Sequence, residues 1–169
     1  MNRAFAQRYG KIPVALLLGA FLIGGCIPGL HRASLEMIDR AEDQWQQAPA
    51  QDYEITVEVN RSDDRRRTTV VVQQGRIVQG EVSYWNSADK RWDEPYPLNE
   101  EQSFPFTIPG LFEMVRGELK NSGRVDIRVR MADELSLPWY IVLGPVMLDG
   151  QAISGTEAVI TVEECIPRE

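Results

Sequence analysis

Apolar and polar residues alternate along much of this chain with a period of two. From Tyr53 to Asn60 every second residue is apolar, which is typical of a strand that buries one face and exposes the other. Similar segments, bounded by turn residues, recur further along the chain. They are residues 67–73, 76–85, 124–131, 138–144 and 157–165. We therefore predict an antiparallel sheet of about six to seven strands.

Two other segments follow the helical period. Residues 35–48 carry apolar side chains along one narrow face, with Ser34 as a cap before them and Pro49 after them. From Ile108 onward, apolar residues recur at i, i+3, i+4, i+7 and i+11, and Thr107 can cap this second helix. A stripe of this kind is expected to pack on a sheet.

The order of these elements predicts the fold class. A helix, three or four strands, a second helix and three more strands are typical of an α+β domain. We expect an antiparallel sheet with two helices packed on one face. Residues 34–169 are numerous enough to bury a core, so we expect a single α+β domain there.

The least regular part of the chain, residues 84–110, is rich in aromatic residues and in proline. Part of it is predicted to be a hairpin that turns at residues 86–90, with Trp85 and Trp92 facing each other. The remainder is predicted to be a loop. Long loops inside compact domains are often functional.

The first 26 residues have the pattern of an export signal. Basic side chains precede the apolar run 12–23, which is shorter than the roughly 20 residues of a membrane-spanning helix. The run leads into Ile23-Gly24-Gly25-Cys26. This tetrapeptide resembles a bacterial lipobox, in which a branched apolar residue and two small residues admit a signal peptidase and the cysteine accepts lipid.

Cleavage before Cys26 would remove a lipoprotein signal peptide, residues 1–25, and leave a lipidated tether, residues 26–33. We predict a diacylglycerol thioether and fatty acyl chains such as palmitate on Cys26. A secretory signal without lipid and an uncleaved membrane anchor are the alternatives. Ile27, rather than Asp, beside the cysteine indicates sorting to the outer membrane in a cell with two membranes. Otherwise we expect attachment to the outer face of the cytoplasmic membrane.

The charge balance excludes one class of partner. The chain has 18 Lys and Arg against 25 Asp and Glu, a net charge of −7. Residues 1–25 hold three of the basic residues and none of the acidic ones, so their removal brings the net charge to 15 − 25 = −10. A chain this acidic is repelled by phosphate backbones, and we expect no nucleic-acid partner.

Arg65, Arg66 and Arg67 form a cluster of positive charge after Asp63 and Asp64. Guanidinium groups pair with planar anions, so the cluster could bind a phosphate or an acidic peptide. The alternative is that the arginines sit at a hairpin tip, pair with their own aspartates and keep a sheet edge soluble.

Trp85, Trp92 and Tyr96 are the second candidate binding surface. Tryptophan and tyrosine dominate interface hot spots, so these side chains could anchor an envelope protein or stack on the sugars of a glycan. The alternative is that they cover the open end of a small core.

No catalytic motif stands out in the sequence. It contains no metal-ligand cluster, phosphate-binding loop or nucleophile elbow, and neighbouring acids would point to opposite sides of a strand. We therefore predict a non-enzymatic protein without metal or cofactor: a lipid-anchored, extracytoplasmic binding module of the cell envelope. The alternatives are a structural or assembly lipoprotein of an envelope complex and, third, an envelope hydrolase.

Cys165 is the only cysteine besides Cys26. We expect it to be a half-buried, small apolar residue near the end of a strand. If Cys26 carries no lipid, a disulfide between the two cysteines is the alternative.

Several of these segments together resemble a group of small secreted bacterial proteins and lipoproteins that carry a domain of unknown function. The shared features are the Trp45 helix leading into a Tyr-x-Ile-x-Val strand, the VVVQQGRIV hairpin, the TIPGLFEMV helix and a Leu-Pro strand. The resemblance covers most of residues 41–164 and implies a fold rather than a reaction. Members often have cysteines after the first strand, where this chain has Asn60, Arg61 and Ser62.

Overall fold

The computed structural model describes residues 29–47, 52–124, 126–132 and 136–168. The predicted signal peptide, its recognition residues Ile23, Gly24 and Gly25, and the lipidation site Cys26 lie outside the described residues. These assignments therefore remain predictions.

Strands make up most of the regular structure in the described ranges. In chain order they are β1 (His31–Arg32), β2 (Tyr53–Asn60), β3 (Arg65–Gln73), β4 (Arg76–Asn86), β5 (Arg91–Trp92), β6 (Tyr96–Pro97), β7 (Ile127–Met131), β8 (Pro138–Leu143), β9 (Val146–Leu148), β10 (Gln151–Ile153) and β11 (Ala158–Pro167). The helices are α1 (Leu35–Gln46), α2 (Glu100–Ser103) and α3 (Ile108–Asn121), and a 3-10 turn, Phe104–Phe106, joins α2 to α3.

Nine strands form one large sheet in which all neighbours are antiparallel. Its order is β1-β7-β8-β11-β2-β3-β4-β5, and β6 also pairs with β4. Strands β9 and β10 form a separate hairpin. Strand β11 lies between β8 and β2, so it joins the β7–β8 hairpin to the β2–β3–β4 meander.

The predicted α+β fold, with six to seven strands and two helices packed on one face, is wrong. Strands hold 47% of the described residues. Nine strands belong to the large sheet, and the three helices are short. The fold is therefore sheet-rich and not a helix-packed α+β arrangement. Strands of two residues, such as β1 and β6, are too short to leave a period in the sequence.

Regular structure also lies outside the predicted helices and strands. The region predicted as a loop, after the Trp85–Trp92 hairpin, holds β6, α2 and the 3-10 turn. The predicted tether contains β1, which pairs with β7. The segment between β8 and β11 forms the β9–β10 hairpin.

The core lies between one face of the sheet and the helices. Alternate side chains of the long strands are buried there, including Ile55, Val70 and Ile160. Helix α3 contributes a stripe that includes Leu111 and Phe112, both fully buried. The other face of the sheet carries the intervening side chains, which are mostly partly exposed.

The predicted helix caps are confirmed. Ser34 Oγ accepts a hydrogen bond from Met37 N at 3.2 Å, and Thr107 Oγ1 accepts one from Gly110 N at 3.1 Å. Pro109 follows in the first turn of α3, where its missing N–H costs nothing. None of the described helices has both the length and the apolar character that crossing a bilayer requires.

Candidate binding face

The sheet has an open face, by which we mean the face opposite the helices and the core. No described helix packs on it. Because side chains alternate along a strand, Arg65 and Arg67 of β3 point to the open face, while Thr68 and Val70 point to the core. The sheet register puts Trp85 of β4 on the same face as Arg65 and Arg67.

Trp85 and Trp92 form a cross-strand pair at one end of this face. They are direct partners in the β4–β5 hairpin, as predicted, with ring centroids 5.4 Å apart and planes at 70°. This edge-to-face arrangement is a favourable geometry for aromatic rings. The turn is held by Asn86 Oδ1, which accepts hydrogen bonds from Ala88 N and Asp89 N at 3.1 Å each. Both indoles are half-buried.

Two arginines lie against these rings. The guanidinium carbon of Arg65 is 5.0 Å from the ring centroid of Trp85 and 5.2 Å from that of Trp92. The guanidinium carbon of Arg67 is 4.3 Å from the Trp92 centroid. All three distances are within the range of cation–π attraction. The two sequence-predicted sites therefore meet on the open face.

Two glutamates neutralise these arginines. Glu58, on β2, accepts hydrogen bonds from Arg65 Nε at 2.9 Å and Arg65 Nη2 at 3.0 Å. Glu163, on β11, accepts one from Arg67 Nη2 at 2.9 Å. The hydrogen bonds to Glu58 raise the pKa of Arg65 above its usual value. We call these six residues the open-face cluster: Glu58, Arg65, Arg67, Trp85, Trp92 and Glu163.

The rest of the predicted binding surface lies on the core side of the sheet. Because side chains alternate along β3, Arg66 points to the face opposite that of Arg65 and Arg67. It lies over Phe106, with its guanidinium carbon 5.6 Å from the ring centroid. Tyr96 packs near Tyr84, with ring centroids 6.5 Å apart. The predicted pairing of the arginines with their own aspartates holds only for Arg66, whose Nε is 3.9 Å from Asp64 Oδ2.

Sequence reasoning missed Glu58 and Glu163. Glu58 lies on β2, which pairs directly with β3. Glu163 reaches Arg67, 96 positions away, because β2 lies between β3 and β11 and all three strands share one face. In the sequence, Glu58 alternates with the apolar residues of its strand, whereas Glu163 lies at an irregularity in the pairing of β11 with β2 that no sequence pattern signals.

Cys165 is partly buried against the core, as predicted. Burial raises the pKa of its thiol to about 11, so the reactive thiolate is scarce at neutral pH. Its suggested disulfide partner, Cys26, lies outside the described residues. Across those residues, no three or more His, Cys, Asp or Glu side chains are grouped so that they could hold a metal ion.

Comparisons with protein-family models and with curated proteins find no match to this chain. The resemblance to small secreted proteins and lipoproteins therefore stays a prediction.

Proposed function

We propose that this protein is a lipid-anchored, extracytoplasmic module that binds another protein of the cell envelope through the open-face cluster. One observation carries the proposal: a half-buried tryptophan pair, stacked with two arginines, lies on a sheet face that no described helix covers. Tryptophan and arginine are the residue types most enriched in interface hot spots.

The contacts within the cluster favour a protein over a free anion. Arg65 and Arg67 already bind Glu58 and Glu163, so an incoming phosphate would have to displace a carboxylate that is close and partly shielded from water. A partner protein can instead cover the paired charges and bury the exposed parts of the indoles.

The ring contacts also disfavour a glycan. Sugars stack on open aromatic faces, whereas guanidinium groups lie against both Trp85 and Trp92. We therefore propose that the partner is a protein.

The sheet order suggests how the module would stand on a membrane. Strand β1 lies at one end of the sheet and β5, which carries Trp92, at the other. Five peptide units separate Cys26 from His31, a reach of at most about 18 Å. Seven strand spacings along the sheet correspond to at most about 34 Å. An anchor at Cys26 would therefore hold the β1 edge near the bilayer and direct the cluster away from it.

Photocrosslinking in cells tests the binding face. Ser83 pairs with Arg67 across β3 and β4 and is partly exposed on the open face, so a photoreactive residue there samples the cluster without removing any of its members. We expect one discrete protein adduct from position 83. The same residue at Glu113, exposed on α3, is the control and should not give that adduct.

The adduct must also depend on the cluster. Combining the position-83 probe with Trp92→Ala should reduce the adduct several-fold, while combining it with Leu148→Ala, an exposed residue of the separate hairpin, should not. An adduct that persists at full yield without Trp92, or that forms equally from position 113, would refute the proposed binding face.

Metabolic labelling tests the anchor separately. A labelled fatty acid should enter the wild-type protein and the Cys165→Ser variant equally and should be absent from Cys26→Ser. Equal labelling of Cys26→Ser would contradict the lipid anchor without bearing on the binding face.

A further inference from the structure

A cleft lies on the core side of the sheet, away from the open-face cluster. It has a volume of about 330 Å³ and opens between strands β3 and β4 and the segment that carries α2 and the 3-10 turn. Arg66 and Thr68 line it from β3, and Val82, Leu98, Pro105 and Phe106 are among its apolar walls. This volume is at the lower end of the range of about 300 to 1,000 Å³ that is usual for small-molecule sites.

Thr68 brings a buried polar group to the cleft. The residue is 0% exposed, and its Oγ1 makes no hydrogen bond with any described group. A buried hydroxyl without a partner destabilises a folded protein, and such groups are uncommon in native structures. Valine would fill the same space without that cost, so the hydroxyl calls for a functional explanation.

Arg66 brings a second donor without a hydrogen-bond partner. Its Nε is buried, and the Asp64 carboxylate, at 3.9 Å, is beyond hydrogen-bond distance. Arg66 and Thr68 are two positions apart on β3, so their side chains lie on the same face of the strand, roughly 7 Å apart along it. A cation and a hydroxyl donor at this spacing, beside an apolar wall, match an anionic head group with an apolar body.

The walls of the cleft are fixed by close packing. Gly80 of β4 contacts α2 so closely that a Cβ would overlap the side chain of Ser103. Ser103 is fully buried and donates a hydrogen bond from Oγ to Asn99 O at 2.8 Å. At the other end, a Cβ on Gly110 would overlap the backbone of the 3-10 turn at Phe104. A cleft fixed in this way needs little reordering to bind a ligand.

We propose that this cleft binds a small carboxylate with a short apolar or aromatic body. Arg66 pairs with the carboxylate, the Thr68 hydroxyl donates a hydrogen bond to it, and Val82, Leu98, Pro105 and Phe106 enclose the body. This site is on the opposite side of the sheet from the open-face cluster and is independent of it.

Titration followed by amide NMR tests the ligand class. We expect phenylacetate and hexanoate to shift the amide signals of Thr68, Val82 and Phe106 at millimolar concentrations. The neutral analogues phenylacetamide and hexanamide should bind at least tenfold more weakly, because they cannot pair with a guanidinium. If neither carboxylate shifts these signals at about 10 mM, or if the amides bind equally well, the cleft is not a carboxylate site.

Two variants test whether Arg66 binds the carboxylate. Arg66→Gln should weaken carboxylate binding at least tenfold, while Arg61→Gln, which removes the same charge from an exposed position outside the cleft, should leave it unchanged. Equal effects of the two variants would mean that only net charge matters, and this outcome would overturn the proposal.

Thr68→Val separates a ligand-binding hydroxyl from a structural one. Without ligand, the variant should melt at the same temperature as the wild type or higher, because it removes an unpaired buried hydroxyl. Its affinity for phenylacetate should fall several-fold. A variant that melts lower but binds phenylacetate with unchanged affinity would show that the hydroxyl is structural and would refute its role in the site.

Discussion

Tyr53 connects the sheet to α1 and α3, the two longer helices. Its side chain is 4% exposed, and its phenol oxygen accepts a hydrogen bond from Ile108 N, at the start of α3, at 3.3 Å. Its ring packs edge-on against Trp45 of α1, with centroids 5.8 Å apart and planes at 88°. Burial raises the pKa of this phenol to about 12, although the Ile108 N–H acts in the opposite direction. The folded protein therefore stabilises the neutral phenol.

This raised pKa predicts an alkaline loss of stability. In the unfolded chain the phenol ionises near its ordinary pKa of about 10, so the stabilisation is complete below that pH. As the pH rises from about 10 to about 12, the unfolded state loses its proton first and the free energy of unfolding falls, by on the order of 2 kcal/mol. Urea unfolding at a series of pH values should record this fall.

Tyr53→Phe is the control for that prediction. The variant should be less stable at neutral pH by about 1 kcal/mol, because Ile108 N loses its acceptor. It should then lose less stability than the wild type above pH 10. Cys165, whose pKa is raised to about 11, contributes a loss in the same direction in both proteins. Parallel pH curves for the two proteins would contradict the assignment to Tyr53.

Glu58 supplies counter-charge to both arginines of the open-face cluster. It holds Arg65 with two hydrogen bonds and lies 3.9 Å from Arg67. Glu58→Gln should leave Arg65 without its counter-charge, while Arg67 keeps Glu163. Sulfate should therefore raise the melting temperature of the variant by several degrees more than that of the wild type at equal ionic strength. Glu54→Gln is the control, because Glu54 pairs instead with Arg168. Equal sulfate effects in all three proteins would show that pairing with Glu58 does not prevent the arginines from binding anions.

At the scale of elements, the contact between α2 and β4 depends on a glycine. Gly80→Ala should lower the free energy of unfolding by about 1 to 3 kcal/mol, because the new methyl group would overlap Ser103. Gly117→Ala is the matched control: Gly117 lies in α3, and a Cβ there meets nothing within 4 Å. It should raise the stability by up to about 1 kcal/mol, through helix propensity. Chemical denaturation measures the free energy of unfolding of both variants. An unchanged free energy of unfolding in Gly80→Ala would contradict the tight packing of α2 on β4.

Elements defined by local chemistry could be predicted from the sequence. The caps at Ser34 and Thr107 and the tryptophan pair across a short turn depend on residues a few positions apart, so the sequence carries their signal. The two-residue strands β1 and β6 could not be predicted, because pairing with a neighbour defines them rather than any pattern of their own. The division of Arg65, Arg66 and Arg67 between two faces follows from strand alternation once they are placed in β3.

At the scale of the whole molecule, the sheet is held together by β11. This strand pairs with β8 along one edge and with β2 along the other. Its partners on both sides, and the Glu163–Arg67 contact that results, could not be predicted, since the order of strands in a sheet is a non-local property. The candidate binding face was thus predictable in its residue types but not in its assembly.

Deleting residues 158–169 should abolish folding. The β7–β8 hairpin would lose its partner strand, and β2 would present an unpaired edge. Core residues that are now fully buried, such as Ile55 and Val57, would become exposed. We expect a dispersed amide spectrum for the full chain and a collapsed one for the truncated chain. Deleting only residues 168–169 is the control and should preserve the dispersed spectrum. A folded 1–157 fragment would contradict the central role of β11.

The position of β11 in the sequence also determines when the sheet can form. It is the last of the described strands to be synthesised, so the two parts of the sheet that it joins cannot complete their pairing until residues 158–167 have emerged. A chain exported as proposed above must pass its translocation channel unfolded. Late closure would keep the nascent chain competent for export, and the sheet would form only on the far side of the membrane.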